Sequence, residues 1–305
     1  MTARSIGADK QNDAVGKGMS MRIVNLIENT NGHAPCAAAH GLSFYIETAG
    51  HRLLVDLGPS EETLRNAERL GVDLKTVDTV VLSHGHYDHT GGVMSFAALN
   101  RTAPIFMQKS AVDAYYADDG EQAGSERFRY IGIDARIPAL PQVRLIDGDH
   151  RIDDALFLFV IERRAFAWPP GNARLLRKTS GGFVRDSFDH EQCLVICEGR
   201  RRVLVSGCAH NGILNILAEV ARKFGSAPDA VFSGFHLMKK TDHTAEEIVE
   251  IERTAEALKR YDTMYYTCHC TGVPAFDVMK TVLGGQLRYV NSGDELTLFG
   301  TEGEG

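Results

Sequence analysis

Apolar and polar positions along this chain mostly alternate over short runs or stand together in strand-length blocks, and each such block predicts a β-strand. Met21-Arg22-Ile23-Val24-Asn25-Leu26-Ile27 opens the series, and 42–47 and 52–56 follow, joined by a turn at Ala49-Gly50-His51. A helix is expected over 61–70, with Ser60 as its cap, Glu61 and Glu62 in its first turn and Gly71 beyond its end. Then come a strand at 78–82, a loop and helix after Gly92, a strand at 104–107 and a helix over 110–117. Residues 118–141 read as irregular, and strands resume near 143–146 and 156–161. The stretch 163–190 is polar and rich in Gly and Pro, the mark of a long functional loop. A hairpin at 193–197 and 202–206 turns at Glu198-Gly199-Arg200. Helices from Ile213, over 244–259 and over 275–283 then alternate with strands at 230–232, 263–267 and 286–290, and a strand at 295–298 ends the series. Strands precede helices in each half, an α/β (α+β) pattern that fits two sheets face to face with helices outside.

One segment interrupts this pattern with chemistry. Ser83-His84-Gly85-His86-Tyr87-Asp88-His89 follows the apolar strand and packs three imidazoles and a carboxylate into a few positions. Neutral imidazole and carboxylate are the ligands that zinc and iron accept. His84 and His86, two apart in extended chain, point the same way and can grip one ion, while Asp88 and His89 lie past a bend and can grip a second.

One loop cannot surround two ions, so further ligands must come from distant segments. Val203-Leu204-Val205-Ser206 is an apolar strand with Gly207-Cys208-Ala209-His210 at its tip, and Tyr265-Tyr266-Thr267 is another, with Cys268-His269-Cys270 at its tip. Both repeat the strand-then-ligand arrangement, which makes His210 and His269 the candidates to complete the two sites. Cys208 is either a thiolate ligand or a small buried packing residue. His236, after the strand that ends in Ser233-Gly234, is a candidate for substrate contact or proton transfer, and His40 is a similar candidate.

His84-x-His86-x-Asp88-His89 after an apolar strand resembles the signature of the metallo-β-lactamase-fold hydrolases. Four further segments resemble its dihydropteroate-synthase-like group: Ala39-His40-Gly41-Leu42-Ser43-Phe44, Gly207-Cys208-Ala209-His210-Asn211-Gly212, Gly234-Phe235-His236-Leu237 and His269-Cys270-Thr271-Gly272. Members of that group often carry names referring to an aminobenzene ribofuranosyl-phosphate synthase. The resemblance spans 21 to about 299 and implies a four-layer αββα metallo-β-lactamase sandwich holding two divalent ions, zinc by default, with iron or manganese as alternatives. It also implies that Asp56 orients a metal-binding His, where the residues alone equally allow a turn-capping Asp. The chain departs from the superfamily in two places. Cys208 stands where many relatives carry a bridging aspartate, and the usual Gly-His-Thr histidine has no clear counterpart, His190 being nearest by order.

Composition narrows the function. A net charge of −7 offers no global basic field for nucleic acid or anionic membrane, and the apolar runs are strand-sized. Residues 1–20 lack the apolar core of a secretory signal and read as a disordered lead-in to a single domain over 21–305. With six irregularly placed cysteines, this points to a reduced, cytoplasmic protein. The expected activity is metal-dependent hydrolysis of a phosphoester or ester-like bond in a small molecule, with Asp88 and His236 as catalytic groups. Arg174, Arg177 and Lys178 in the long loop, with Lys239 and Lys240, could read a phosphate or carboxylate, and Phe166 and Trp168 could stack on a heteroaromatic ring. The alternatives are a di-iron redox protein, a phosphoribosyl-type synthase of pterin-cofactor metabolism and a non-catalytic metal-dependent ligand binder. Neither nucleic acid nor membrane is expected as a partner, and the oligomeric state stays open.

Overall fold

The computed structural model describes residues 20–32, 35–121 and 126–300, so the expected lead-in lies, except for Ser20, outside the described residues. Two seven-stranded sheets form the body. The first runs, edge to edge, Glu295–Leu298, Met21–Ile27, Ser43–Glu47, Arg52–Val55, Thr79–Val81, Ile105–Gln108 and Val143–Ile146. The second runs His150–Arg151, Leu156–Phe159, Cys193–Glu198, Arg201–Val205, Ala230–Ser233, Met264–Thr267 and Leu287–Tyr289. Each sheet reads three antiparallel pairings followed by three parallel ones, so the two halves repeat one plan without a visible sequence repeat.

Period-2 alternation decides which side chains meet between the sheets. Ile23, Phe44, Ile46, Leu53 and Val55 face inward and pack with Leu158, Leu194, Val205 and Phe232 of the other sheet. Their neighbours Val24, Tyr45 and Leu54 face outward and are covered by Ala67 and Phe96 of the helices Glu62–Arg69 and Val93–Leu99. The second sheet's outer residues Val195, Leu204, Val231 and Tyr265 are covered by the helices Ile213–Phe224, Ala245–Leu258 and Val273–Leu283. Helix, sheet, sheet and helix therefore stack as the four-layer αββα sandwich. Parallel strands need helical crossovers, and those crossovers return every parallel strand in the same direction. The consequence is functional: the tips of Arg52–Val55, Thr79–Val81, Arg201–Val205, Ala230–Ser233 and Met264–Thr267 deliver Asp56, His84, Cys208, His236 and His269 to one edge.

Two expectations are corrected. Residues 110–117 are not a helix but a short 3-10 turn, Lys109–Val112, followed by the strand Tyr115–Asp118. The loop 163–190 contains the hairpin strands Leu175–Thr179 and Gly182–Arg185. These three strands join Phe128–Tyr130 in a third, four-stranded sheet, so backbone pairing between distant segments overrides local propensity. The helix expected over 244–259 forms as Ala245–Leu258, with Thr244 and Glu247 closing a capping box.

Candidate metal centre

The His-rich loop leaves the strand Thr79–Val81 extended and tightens into a single turn of helix, Tyr87–Thr90, with His86 still extended as its cap. His84 and His86 thus project side by side, ring centroids 4.5 Å apart, while Asp88 and His89 lie on the turn. The turn docks closely: an added Cβ at Gly91 or Gly92 would overlap the carbonyls of Pro59 or Leu57. From the other sheet, His210 closes a triangle, with centroids 4.9 Å from His84 and 5.0 Å from His86. All three Nε2 atoms are buried and have no hydrogen-bond partner. Burial, reinforced by neighbouring imidazoles, pushes His84 and His210 well below their usual pKa and His86 down to about 3. Three neutral imidazoles packed together with bare, buried nitrogens are a costly arrangement unless something occupies it, and a borderline divalent cation fits.

A second group adjoins the first. His89 Nε2 lies 3.1 Å from Cys208 Sγ and 3.2 Å from His269 Nε2. Asp88 Oδ2 is 3.5 Å from His269 Nε2 and 3.4 Å from His40 Nε2. Cys208 Sγ also lies within reach of His84 and His210, which places it between the two groups. Burial opposes charge here, yet the Asp56 and Asp88 carboxylates hold His89 up to about 9, and His89 and His269 hold Asp88 well below the usual carboxylate range. A cation bound here would take the place of the His89 proton.

Four of the imidazoles are each aimed by a bond to the other nitrogen. His89 Nδ1–H donates to Asp56 Oδ2 at 2.6 Å, His210 Nδ1–H to Asn172 Oδ1 at 3.0 Å, and His269 Nδ1–H to Asn29 Oδ1 at 2.9 Å. His84 Nδ1–H donates to the Ser83 hydroxyl at 2.8 Å, which itself donates to Asp56 Oδ2 at 2.7 Å, so Asp56 steers both groups. Backbone strain collects at the same place. Of six described non-glycine residues at positive φ, four are Asp56, Ala209, His236 and His269.

The sequence profile of the metallo-beta-lactamase superfamily matches residues 38–242. The chain belongs to that superfamily. It is 30% identical over 281 residues, 86% of this chain and 91% of its relative, to 7,8-dihydropterin-6-methyl-4-(beta-D-ribofuranosyl)-aminobenzene-5'-phosphate synthase of Methanocaldococcus jannaschii. An uncharacterized protein of the same organism is 29% identical over 257 residues, 82% of this chain and 90% of its own. The crystal structure of Tm1679, a metal-dependent hydrolase of the beta-lactamase superfamily, superposes with a TM-score of 0.75 at 29% identity, covering 90% of this chain and 98% of that one.

Within this superfamily fold, His190 is the histidine that chain order favours, and it lies beside His86 with ring centroids 5.3 Å apart. Both of its nitrogens are already used. Nδ1 accepts the Gly85 N–H at 2.9 Å and Nε2–H donates to Asp186 at 3.0 Å, so His190 braces the loop while His210 presents a free nitrogen. His236 stands 4.2 Å from the His210 ring and borders a cleft of about 460 Å³ lined by Trp168, Pro170, Leu237, Met238 and Glu250. Arg174, Arg177 and Lys178 are not among the residues lining that cleft. Arg174 and Arg177 face Asp119 at 3.4 Å and Asp113 at 3.3 Å, and Lys178 lies over Tyr116 and Phe183, because the hairpin carries Arg177 and Lys178 onto the third sheet and Arg174 ends the turn just before it. Lys239 is held by Glu247, and Phe166 is exposed.

Sequence reasoning passed over Asn29, Asn172, Ser83, Glu28 and Glu191. Glu28 accepts the His269 N–H at 2.9 Å, and Glu191 accepts those of His210 and Asn211 at 2.6 and 2.8 Å. Only Ser83 and Glu191, which flank histidines in the chain, carried a local signal.

Proposed function

We propose that this protein is a metal-dependent hydrolase that cleaves a phosphoester or ester-like bond of a small molecule. In this reading His84, His86 and His210 hold one divalent cation, Asp88, His89 and His269 a second, and Cys208 stands between them. The observation that carries it is the set of three buried, partnerless Nε2 atoms on imidazole rings that two sheets bring side by side. Zinc, or iron or manganese, bound there would make a bound water acidic near neutral pH and polarise the oxygen of the scissile bond. Asp88 would accept a proton from the attacking water, placed by its contacts with His40 and His269. His236, on the cleft side, would donate toward the oxygen that gains charge as the bond breaks. Six unpaired cysteines support a reducing, cytoplasmic setting.

A second reading is favoured by the relative named as a synthase, whose product is phosphorylated and aromatic. The apolar cleft beside His236, with Trp168 and Pro170 on its wall, suits a flat ring. Elemental analysis of protein purified without added metal tests the centre. We expect at least two zinc ions per chain, falling in His84→Ala. Negligible metal in the wild type, with none taken up on reconstitution, would overturn the reading, and iron would favour a redox protein. A phosphoester and lactone screen, scored for water-derived product against transfer to an aromatic acceptor, separates hydrolase from synthase.

A further inference from the structure

Four of the six cysteines fall into two kinds. Cys193 and Cys268 pack inside the apolar cores on either side of the second sheet. Cys208 and Cys270 are equally buried but lie outside those cores, with their sulfurs turned to each other and to His236. The ligand atoms of Cys208, Cys270 and His236 all lie within 4.8 Å of one another. Nδ1 of His236 is buried without a hydrogen-bond partner, on the side of the ring away from Gly171, where an added Cβ would stand 3.0 Å from Nε2. An added Cβ at Gly234 would overlap Cys270 Sγ, so glycine there is the space in which the thiol sits.

The loops are braced before any ligand arrives. The Cys270 carbonyl accepts the N–H groups of Leu237 and Met238 at 2.9 and 2.8 Å, and Thr271 Oγ accepts that of Phe235 at 2.8 Å. His236 itself is held at φ 52. Two sulfurs and one imidazole, preorganised and dry, are a donor set for a soft or borderline cation and a poor one for magnesium or calcium.

We propose that Cys208, Cys270 and His236 form a sulfur-rich metal position adjoining the histidine centre and sharing Cys208 with it. The inference rests on the proposed metal-dependent reading in that shared residue. It gives His236 two faces: Nδ1 on the cation, and an Nε2–H fixed as a donor toward the cleft.

Cobalt(II) substitution of the metal-free protein tests it. Wild type is expected to show near-ultraviolet thiolate-to-cobalt absorption that weakens in both Cys270→Ser and Cys270→Ala and vanishes when Cys208→Ser is added. X-ray absorption of the unmutated zinc-loaded protein, which needs no variant to fold, is expected to show a sulfur shell at about 2.3 Å. A cobalt spectrum unchanged in both Cys270 variants, or no sulfur shell in the wild type, overturns the proposal. The two readings fail separately. The Cys270-dependent absorption persists in His84→Ala while total metal falls there; unchanged total metal in His84→Ala would remove the histidine centre instead.

Discussion

Replacing Asp56 with Asn tests how the centre keeps its histidines in ligand form. Asp56 Oδ1 accepts the Ser83 N–H at 2.7 Å, and Oδ2 accepts both the Ser83 hydroxyl at 2.7 Å and His89 Nδ1–H at 2.6 Å. Asn has nearly the same shape and tolerates the φ of 59 found here, so the backbone need not move. Its single carbonyl can still serve the Ser83 amide, but an NH2 group then faces two donors. His89 must either lose its partner or carry its proton on Nε2, the atom 3.1 Å from Cys208 Sγ. Either result spoils the nitrogen that would hold a cation. The expected loss of affinity at that position is about 10–100-fold, the range for removing such a supporting carboxylate, or about 1.4–2.7 kcal/mol. The His84 position should weaken less, because Ser83 remains as its acceptor. Competition for zinc against a chromophoric chelator at neutral pH resolves the two equivalents. An Asp56→Asn protein that folds normally and takes both equivalents with wild-type affinity would refute the argument.

Stability of the metal-free protein should peak near pH 6.5 and fall on both sides. Burial holds His84, His86 (down to about 3) and His210 below the ordinary imidazole pKa of about 6.5 when folded, so their contribution is present above 6.5 and lost as pH falls. His89 is held up to about 9, so its contribution is complete below 6.5 and disappears as pH rises through 9. A Tm in chelator that is flat from acid to alkaline pH would contradict this. Asn172→Ala should lower affinity at the His210 position and Asn29→Ala at the His269 position, each by about tenfold, and titration of both equivalents would show a crossed pattern if the pairing is wrong. Phe232→Ala removes a ring stacked at 4.5 Å on Tyr266 and set edge-on to Phe44 at 5.7 Å between the sheets. Urea unfolding should show a loss of about 3–5 kcal/mol, and a value under about 1 kcal/mol would place Phe232 outside the sealed core.

Much of the fold was legible because strands announce themselves locally. Alternation at Met21–Ile27 and the apolar block at Cys193–Glu198 decide faces without reference to any partner. The third sheet was not legible. Tyr115–Asp118 and Leu175–Thr179 become strands by pairing with each other across a long separation, and nothing local distinguishes them from a turn and a loop.

The His84–Asp88–His89 cluster, the strand tips that carry Cys208, His210 and His269, and the family to which these motifs belong can all be read along the chain. These follow from short-range rules, since neighbours in an extended strand or a single turn are neighbours in space. Long-range packing makes His210 rather than His190 the one with a bare nitrogen, and turns Arg174 and Arg177 to aspartates away from the His236 cleft. It also decided that Asn29, 240 residues away in the chain, aims His269. An imidazole is held ready for a cation when its other nitrogen is bonded elsewhere and its free one is buried. Both conditions depend on distant segments that meet only after the sheets have packed.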